Sequence, residues 1–522
     1  MSQVQKSMSL ANPAPPFTDI VQKLAAAVGG VGLLFMVLAL SGNGAIQNST
    51  WLITALALIT VGTVVYSWRA YMTLPSGIKN NGAFFSSVSS RGLWGWVIGI
   101  LLTGFYVVLY WFPQYLGLGS GGAASTGLVS FFDPLSRVLS GNPASQWFVY
   151  GTLYTVAILA FGIKFIFKYR HNKYQIVRTI SVMFFQLGFA FLIPEIMQKL
   201  QYPYYSFTNM WPLNQYFFQD WQLNGLLNAG NVGMFMLLSG FAMIFIISPA
   251  LTYFYGKRWY CSWVCGCGGL AETAGDPFRH LSDKSLKAWK IERWLIHSVL
   301  VFITLTTAAT IYSYYTAGNN VLITKPIAIG LIVLVALLVI GVVQMNRKEI
   351  NQSKANLVMI ITGIVGVIAI LTVVAYFTGN FVIDGAGLRK SYGFFIGSAF
   401  SGVIGVGFYP LMGSRVWCRF GCPMAALLGL QQKFFSRFRI TTNGGQCISC
   451  GNCSTYCEMG IDVRAYAQKG QNIVRASCVG CGICAAVCPR GVLKLENGSV
   501  DLKNKTTELK AIHIAEGDVR IL

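Results

Sequence analysis

The chain has 522 residues, of which 54% are hydrophobic and only 11% charged, too few charges to cover an ordinary soluble surface. A formal net charge of +22 would suit a nucleic-acid binder, yet no basic stripe with interleaved aromatics occurs outside the loops between apolar segments. Nucleic acid is excluded as a partner on that ground, and membrane lipid is expected instead.

Residues 1–23 form a polar, proline-containing segment with no basic start or clear cleavage site, so the first apolar run is expected to be an uncleaved span. Ten such runs lie near 24–41, 51–68, 93–112, 147–167, 179–194, 230–254, 294–315, 327–345, 356–377 and 393–413; about 20 apolar residues cross a ~30 Å bilayer core. The run at 179–194 is the weakest, being short and holding Gln186. Six spans thus fill 24–254 and four fill 294–413, with a loop at 255–293 between them. With the N-terminus inside, the inner loops carry Lys79, Arg91, Lys164, Lys168, Arg170, Lys257, Arg258, Arg279, Lys284, Arg347 and Lys348 among others, against Arg137, Lys199, Lys325, Arg389 and Lys390 outside. This positive-inside bias puts the C-terminus on the cytoplasmic side, as in a multi-pass protein of the bacterial inner membrane.

The outer loops near 113–146 and 195–229 are too short to build a cofactor domain. The second holds Tyr204, Tyr205, Trp211, Tyr216, Phe217, Phe218 and Trp221, the composition of an interfacial belt, with quinone binding as the alternative use. Glu195, behind Pro194 at an outer end, is expected to be solvated. Gly393, Gly397, Ser401 and Gly405 recur every four residues in the last span, a spacing for close helix packing in lipid. The chain has four histidines and no C-x-x-C-H, so no haem is expected. The small-residue stretch Gly121-Gly-Ala-Ala-Ser125-Thr126 matches flavin attachment poorly, and flavin is not expected either.

None of the 13 cysteines lies in the first 260 residues, and all fall on the predicted cytoplasmic side, where structural disulfides are rare. Eight form two runs of one spacing, Cys447-x2-Cys450-x2-Cys453-x3-Cys457 and Cys478-x2-Cys481-x2-Cys484-x3-Cys488-Pro489. This spacing wraps two [4Fe–4S] cubes, the fourth cysteine of each run ligating the other cube. Cys447, Cys450, Cys453 and Cys488 are assigned to one cluster, and Cys478, Cys481, Cys484 and Cys457 to the second; a zinc module is the alternative. The surrounding domain spans 440–500, and alternation around Asn497-Gly498 predicts a hairpin over Val492–Leu502 with a type I′ turn. The tail, 501–522, is mixed in charge.

The other five cysteines lie in an internal repeat, Arg258-Trp-Tyr-Cys261-Ser-Trp-Val-Cys265-Gly-Cys267 and Arg415-Val-Trp-Cys418-Arg-Phe-Gly-Cys422-Pro423. Each copy follows a span at its cytoplasmic end and opens a helix. The second copy, in 414–439, continues as an interfacial helix with Leu427, Leu430, Phe434 and Phe438 near one face and Lys433, Arg437 and Arg439 beside them. Helix starts beside Arg258, Arg415 and Arg419 favour thiolates. Cys261, Cys265, Cys418 and Cys422 could hold a third [4Fe–4S] cube or another thiophilic metal, or act as redox thiols; Cys267 is spare in that count.

Multiple spans, two C-x3-C motifs and a trailing two-cluster ferredoxin resemble the membrane-bound polyferredoxins of the NapH/NosR type, and the CcoG group is similar around the same motifs. The resemblance covers 255–293 and 405–495, and its pattern falls on Cys261, Cys265, Cys418, Cys422-Pro423 and the eight ferredoxin cysteines. It implies quinol dehydrogenation or electron supply to a respiratory enzyme, or copper handling during assembly of one. Gly266-Cys267 and Glu458 stand where proline is usual. The expected protein is a polytopic α-helical membrane protein of about ten transmembrane helices with a C-terminal α+β two-[4Fe–4S] ferredoxin-like domain. It passes electrons between cytoplasmic-side clusters and a quinone or an extracytoplasmic partner, with other redox subunits or a soluble carrier as donor or acceptor. The alternatives are a copper reduction or assembly factor and an iron–sulfur redox sensor.

Overall fold

A backbone in lipid has no water to pair with, so apolar runs of this length must satisfy their own hydrogen bonds as helices. The computed structural model describes residues 19–72, 92–119, 123–316, 385–498, 512–515 and 518–521. Among them are seven helices long and apolar enough to cross a membrane. We number these and three others in chain order: α1 (Ile20–Ala39), α2 (Ser49–Met72), α3 (Leu93–Trp111), α4 (Gln146–Lys168), α5 (Lys173–Lys199), α6 (Gly230–Tyr255), the short α7 (Gly266–Thr273), α8 (Leu286–Thr316), α9 (Gly385–Tyr392) and α10 (Pro423–Phe434). The spanning seven are α1–α6 and α8. The spans expected at 327–345 and 356–377 lie outside the described residues, as do most of the N-terminal segment and the tail.

Asp19 caps α1, accepting from Val21 N at 3.1 Å, and pairs with Arg69 of α2. Small residues let these two helices touch: a Cβ on Gly62 would stand 2.6 Å from Gly29 N, and one on Gly32 2.7 Å from Ala55 O. Leu33, Leu34, Val37, Ile53, Ile100 and Leu101 are each more than half exposed. A contiguous apolar exterior of this kind is a lipid-facing surface.

Two spans carry π-helical turns, Phe185–Leu192 in α5 and Met243–Ile247 in α6. Each runs just ahead of a proline, Pro194 and Pro249, whose ring displaces the carbonyl four residues back and whose missing N–H breaks the regular ladder. The weak run at 179–194 is therefore the middle of a 27-residue helix. The run expected at 393–413 differs. Its helix starts earlier, with α9, continues as π-helix over Gly393–Ile404, and then turns before a short helix at Tyr409–Met412. Gly405 marks the turn, where a Cβ would meet Trp417 Cβ at 2.9 Å. Gly402 lies against Tyr106 and Tyr110, and Ser401 beside it hydrogen-bonds to Tyr110.

The aromatic loop is only partly a belt. Tyr204, Tyr216 and Trp221 are exposed, but Tyr205, Phe217 and Phe218 are buried in a core with Leu223, Leu226, Met236 and Leu237. Glu195 is buried as well, contrary to the solvated site expected.

The ferredoxin region is built on two antiparallel strands, β1 (Phe438–Thr442) and β2 (Leu493–Asn497), paired from Phe438↔Asn497 to Thr442↔Leu493. The second strand of the hairpin predicted at Asn497-Gly498 would fall at 499–502. Burial of Phe438, Ile440 and Leu493 rewards the long-range pairing, and residues 499–502 lie outside the described set. Phe438 and Arg439 consequently belong to a strand, and α10 buries Met424, Ala425, Ala426 and Leu428 while Leu427, Leu430 and Phe434 on its predicted apolar face stay half-buried. A further hairpin pairs β3 (Ile512–Ala515) with β4 (Asp518–Ile521). The region docks on the ends of α4 and α5: Tyr174 Oη donates to Gly480 O at 3.0 Å, Gln175 Nε2 to Cys481 O at 2.8 Å, and Tyr456, Ile483 and Val487 pack on Phe165 and Tyr169.

Candidate metal centres

In the ferredoxin region the chain wraps each cysteine run with left-handed residues at matching positions. Ser449 and Gly451 have φ 58° and 79°, Gly480 and Gly482 have φ 63° and 75°. Gly480 is doubly constrained, since a Cβ there would lie 2.7 Å from Arg258 Cβ and 3.0 Å from Phe438 Cζ. The wrapping brings Cys447, Cys450, Cys453 and Cys488 around one cavity, whose wall also includes Arg464 and Arg490. It sets Cys484 in a second group with Cys478, Cys481 and Cys457. Both groups combine three cysteines of one run with the fourth of the other. Cys450 is exposed and Cys447 and Cys488 half-buried, whereas Cys478 and Cys484 are buried. Burial pushes the thiols of Cys453 and Cys457 up to about 11 and that of Cys481 up to about 12. Backbone N–H groups counter this: Ser454 donates to Cys453, Ile461 and Met459 to Cys457, and Ile483 to Cys481.

The internal repeat folds as two matching turns. Each opens at a left-handed glycine, Gly256 (φ 69°) or Gly413 (φ 98°), runs through the first cysteine, and ends with the second as a helix cap. Cys265 precedes α7 and Cys422 precedes α10, where Cys422 Sγ accepts from Ala425 N at 3.4 Å. Cys261, Cys265, Cys418 and Cys422 are all buried; Cys422 feels the field of the other three, Cys261 that of Cys265 and Cys418, and Cys418 that of Cys265. They form one group. Burial pushes Cys261 up to about 12. Cys267 joins by hydrogen-bonding to Cys265, which draws Cys265 below its ordinary value.

This third group lies deeper than the cytoplasmic helix end expected. A Cβ on Gly266 would collide with Gln186 Oε1 and press on Tyr154, both mid-helix, in α5 and α4. Tyr154 is eight residues from the α4 end at Gln146, roughly 12 Å at ~1.5 Å per residue. The loop after α6 re-enters between helices, which irregular backbone can do where protein surrounds it. Tyr154, Tyr150, Tyr106 and Tyr110 line the side of Cys267 away from the ferredoxin, with ring centroids 5.4 Å apart for Tyr150–Tyr154 and 5.9 Å for Tyr106–Tyr150.

The cations beside the thiols are not all those expected. Arg415 fits, its Nη1 standing 3.6 Å from Cys418 Sγ and 3.1 Å from Cys261 O. Arg258 instead lies over the Phe438 ring at 4.5 Å and donates to Asn497, and Arg419 is held by Glu292 at 2.7 Å. Lys257, one residue earlier, is the buried cation nearest in sequence to Cys261, and burial lowers its pKa. Between the deep group and the ferredoxin runs a buried ionic network that sequence reasoning missed. Arg415 pairs with Glu458 at 3.0 Å and with Glu272, which also pairs with Arg178; Arg279 joins Glu458 at 3.2 Å and Asp276 at 3.1 Å; Lys168 and Lys164 reach Asp276 at 2.7 and 3.4 Å. Burial pushes Asp276 and Glu458 up, but these cations outweigh it and hold both carboxyls below the usual range. The available signal was the scarcity of acids: the chain has 17, and three of them follow a cysteine motif closely.

The comparisons agree with this geometry. A family model described as a 4Fe-4S dicluster domain matches residues 446–493, and one described as a 4Fe-4S binding domain matches twice, at 237–285 and 394–441. No curated protein and no solved structure matches the chain. The two matches of the second model fall on the two copies of the internal repeat, so the repeat seen in the sequence is a repeat of iron–sulfur character. With seven apolar helices of spanning length among the described residues, the chain is a multi-pass membrane iron–sulfur protein of electron transport.

Proposed function

We propose that the chain passes electrons between a ferredoxin surface on the cytoplasmic side of a bacterial inner membrane and a quinone or extracytoplasmic acceptor, as in the NapH/NosR-type polyferredoxins. The observation that carries this reading is the succession of three groups of four thiols from the exposed surface to the middle of the helices. Cys447, Cys450, Cys453 and Cys488 would hold the first cube, Cys478, Cys481, Cys484 and Cys457 the second, and Cys261, Cys265, Cys418 and Cys422 a third. The thiols suit such groups: they converge in fours, and backbone donors already point at their sulfurs. A bound cube supplies a one-electron couple whose potential follows charge, hydrogen bonding and burial.

The protein's part is to order and insulate the three sites. Arg464 and Arg490 beside the half-exposed first group offer a docking face for an acidic donor. The tyrosines beyond Cys267 extend from the deep group towards the opposite end of α4, where an acceptor would take the electron.

The test uses the full-length chain in vesicles, ferredoxin side outward, reduced by an external low-potential donor and then offered a quinone or a lumenal acceptor. Reoxidation is expected in the wild type and lost in Cys418→Ser/Cys422→Ser, while the ferredoxin clusters still reduce. Reoxidation of the double variant at the wild-type rate would contradict the route. A second reading, transient binding of copper during assembly of a respiratory enzyme, is favoured by one observation, the fifth thiol Cys267 against Cys265. Stoichiometric Cu(I) bound by Cys267-containing protein and lost in Cys267→Ser would support it.

A further inference from the structure

Lys257 is fully buried, and its Nζ has no hydrogen-bond partner among the described residues. An ammonium in a protein interior costs several kcal/mol unless opposite charge stands near it. The groups that act on it are Cys261 and Cys418 of the deep site, Cys478 of the ferredoxin, and Glu292. Glu292 is already held by Arg419 at 2.7 Å. The backbone around Lys257 is fixed from both sides. Its N–H donates to Gln432 Oε1 at 2.8 Å, and Gln432 Nε2 donates to Cys478 O at 2.7 Å. Ser262, next to Cys261, donates to the carbonyl of Val479, next to Cys478, at 2.9 Å. Two thiol groups from different parts of the chain thus share a rigid seam with a buried, unmatched cation in it. Ser414, the counterpart of Lys257 in the second copy of the repeat, carries no charge.

We propose that Lys257 supplies one positive charge shared by the iron–sulfur site of Cys261, Cys265, Cys418 and Cys422 and that of Cys478, Cys481, Cys484 and Cys457, making these two sites direct electron-exchange neighbours. The inference rests on reading the deep thiols as a cluster site. Four thiolates give each cube a net negative charge that grows by one on reduction, so a cation fixed between two cubes favours the reduced form of both. Exchange balances within the pair: one electron leaves one cube and arrives on the other, and no proton or third reactant is needed. Lys257 acts here as a positioning charge and ligates nothing.

The test is a redox titration, followed by EPR, of the oxygen-free full-length chain with Lys257→Met and Lys257→Arg. The Met variant is expected to keep the wild-type iron and sulfide content while its reduced-to-oxidised ratio at the wild-type midpoint falls about tenfold for both sites, equivalent to ~59 mV for a one-electron couple. The Arg variant is expected to stay near wild type. Should the Met variant lose iron, Lys257→Gln takes its place in the same titration. Unmoved midpoints, a shift at one site only, or iron loss from the Arg variant as well as the neutral ones would each overturn the shared charge. A wild-type content of about eight irons would be a different failure, removing the deep cluster itself.

Discussion

Arg415 reaches in several directions from a position with 1% of its surface exposed. It touches Cys418 Sγ and Cys261 O on one side and Glu458 and Glu272 on the other. Glu458 directly follows Cys457, so one guanidinium spans from the deep thiols to the ferredoxin. Removing a single partner from a buried ionic set leaves an uncompensated charge and costs about 3–5 kcal/mol. Arg415→Met should therefore lower the thermal midpoint of the purified chain markedly, whereas Arg258→Met, at a half-exposed site, should move it little. Equal effects would contradict the buried network. The ligand-spaced cysteines were legible because cluster geometry dictates their spacing. Lys257 was counted only as a loop charge and Glu458 only as a departure from the expected proline. Nothing in a linear pattern tells that a basic residue after a span turns inward, and here that choice is made by the left-handed glycines Gly256 and Gly413.

At the scale of elements, the turns that wrap the cysteines are as specific as the cysteines. Gly480 and Gly491 both have left-handed backbone, φ 63° and 64°, but Gly480 faces Arg258 and Phe438 while nothing lies within 4 Å of a Cβ on Gly491. An L-residue in that conformation costs about 1–2 kcal/mol, so Gly491→Ala should show that cost alone. Gly480→Ala adds displacement of the seam beside Cys478, and should lower both stability and iron content further. Similar losses in the two variants would show that Gly480 is needed only for its dihedral angles. Helix existence was readable from apolar run length for every described span. Wide turns and strand partners were not: proline position shapes the π-segments of α5 and α6, and the pairing of Leu493–Asn497 with Phe438–Thr442, where Phe438, Ile440 and Leu493 are buried, joins segments far apart in the chain. Nor did the pattern after Cys422 show that the helix there buries Met424, Ala425, Ala426 and Leu428.

Across the whole molecule, apolar helices carry a lipid-facing exterior while charge is gathered where the ferredoxin meets them. The re-entrant loop at 256–285 takes its cysteines past the basic ends of α4 and α5 to the level of Tyr154 and Gln186, and the ionic network fills the space behind it. Depth of this kind cannot be read from hydropathy, which marks where spans end and not where a following loop goes. It changes the meaning of the repeat, since thiols at that level shorten the remaining path across the helices. The measurement that bears most directly on this account is the iron and acid-labile sulfide content, with reduced-state EPR, of full-length chain purified without oxygen, alone and as Cys418→Ser/Cys422→Ser. About twelve irons per chain, falling to about eight in the double variant with the ferredoxin signals intact, is the expected result. Zinc in place of iron, or an iron content that the double substitution leaves unchanged, would contradict it.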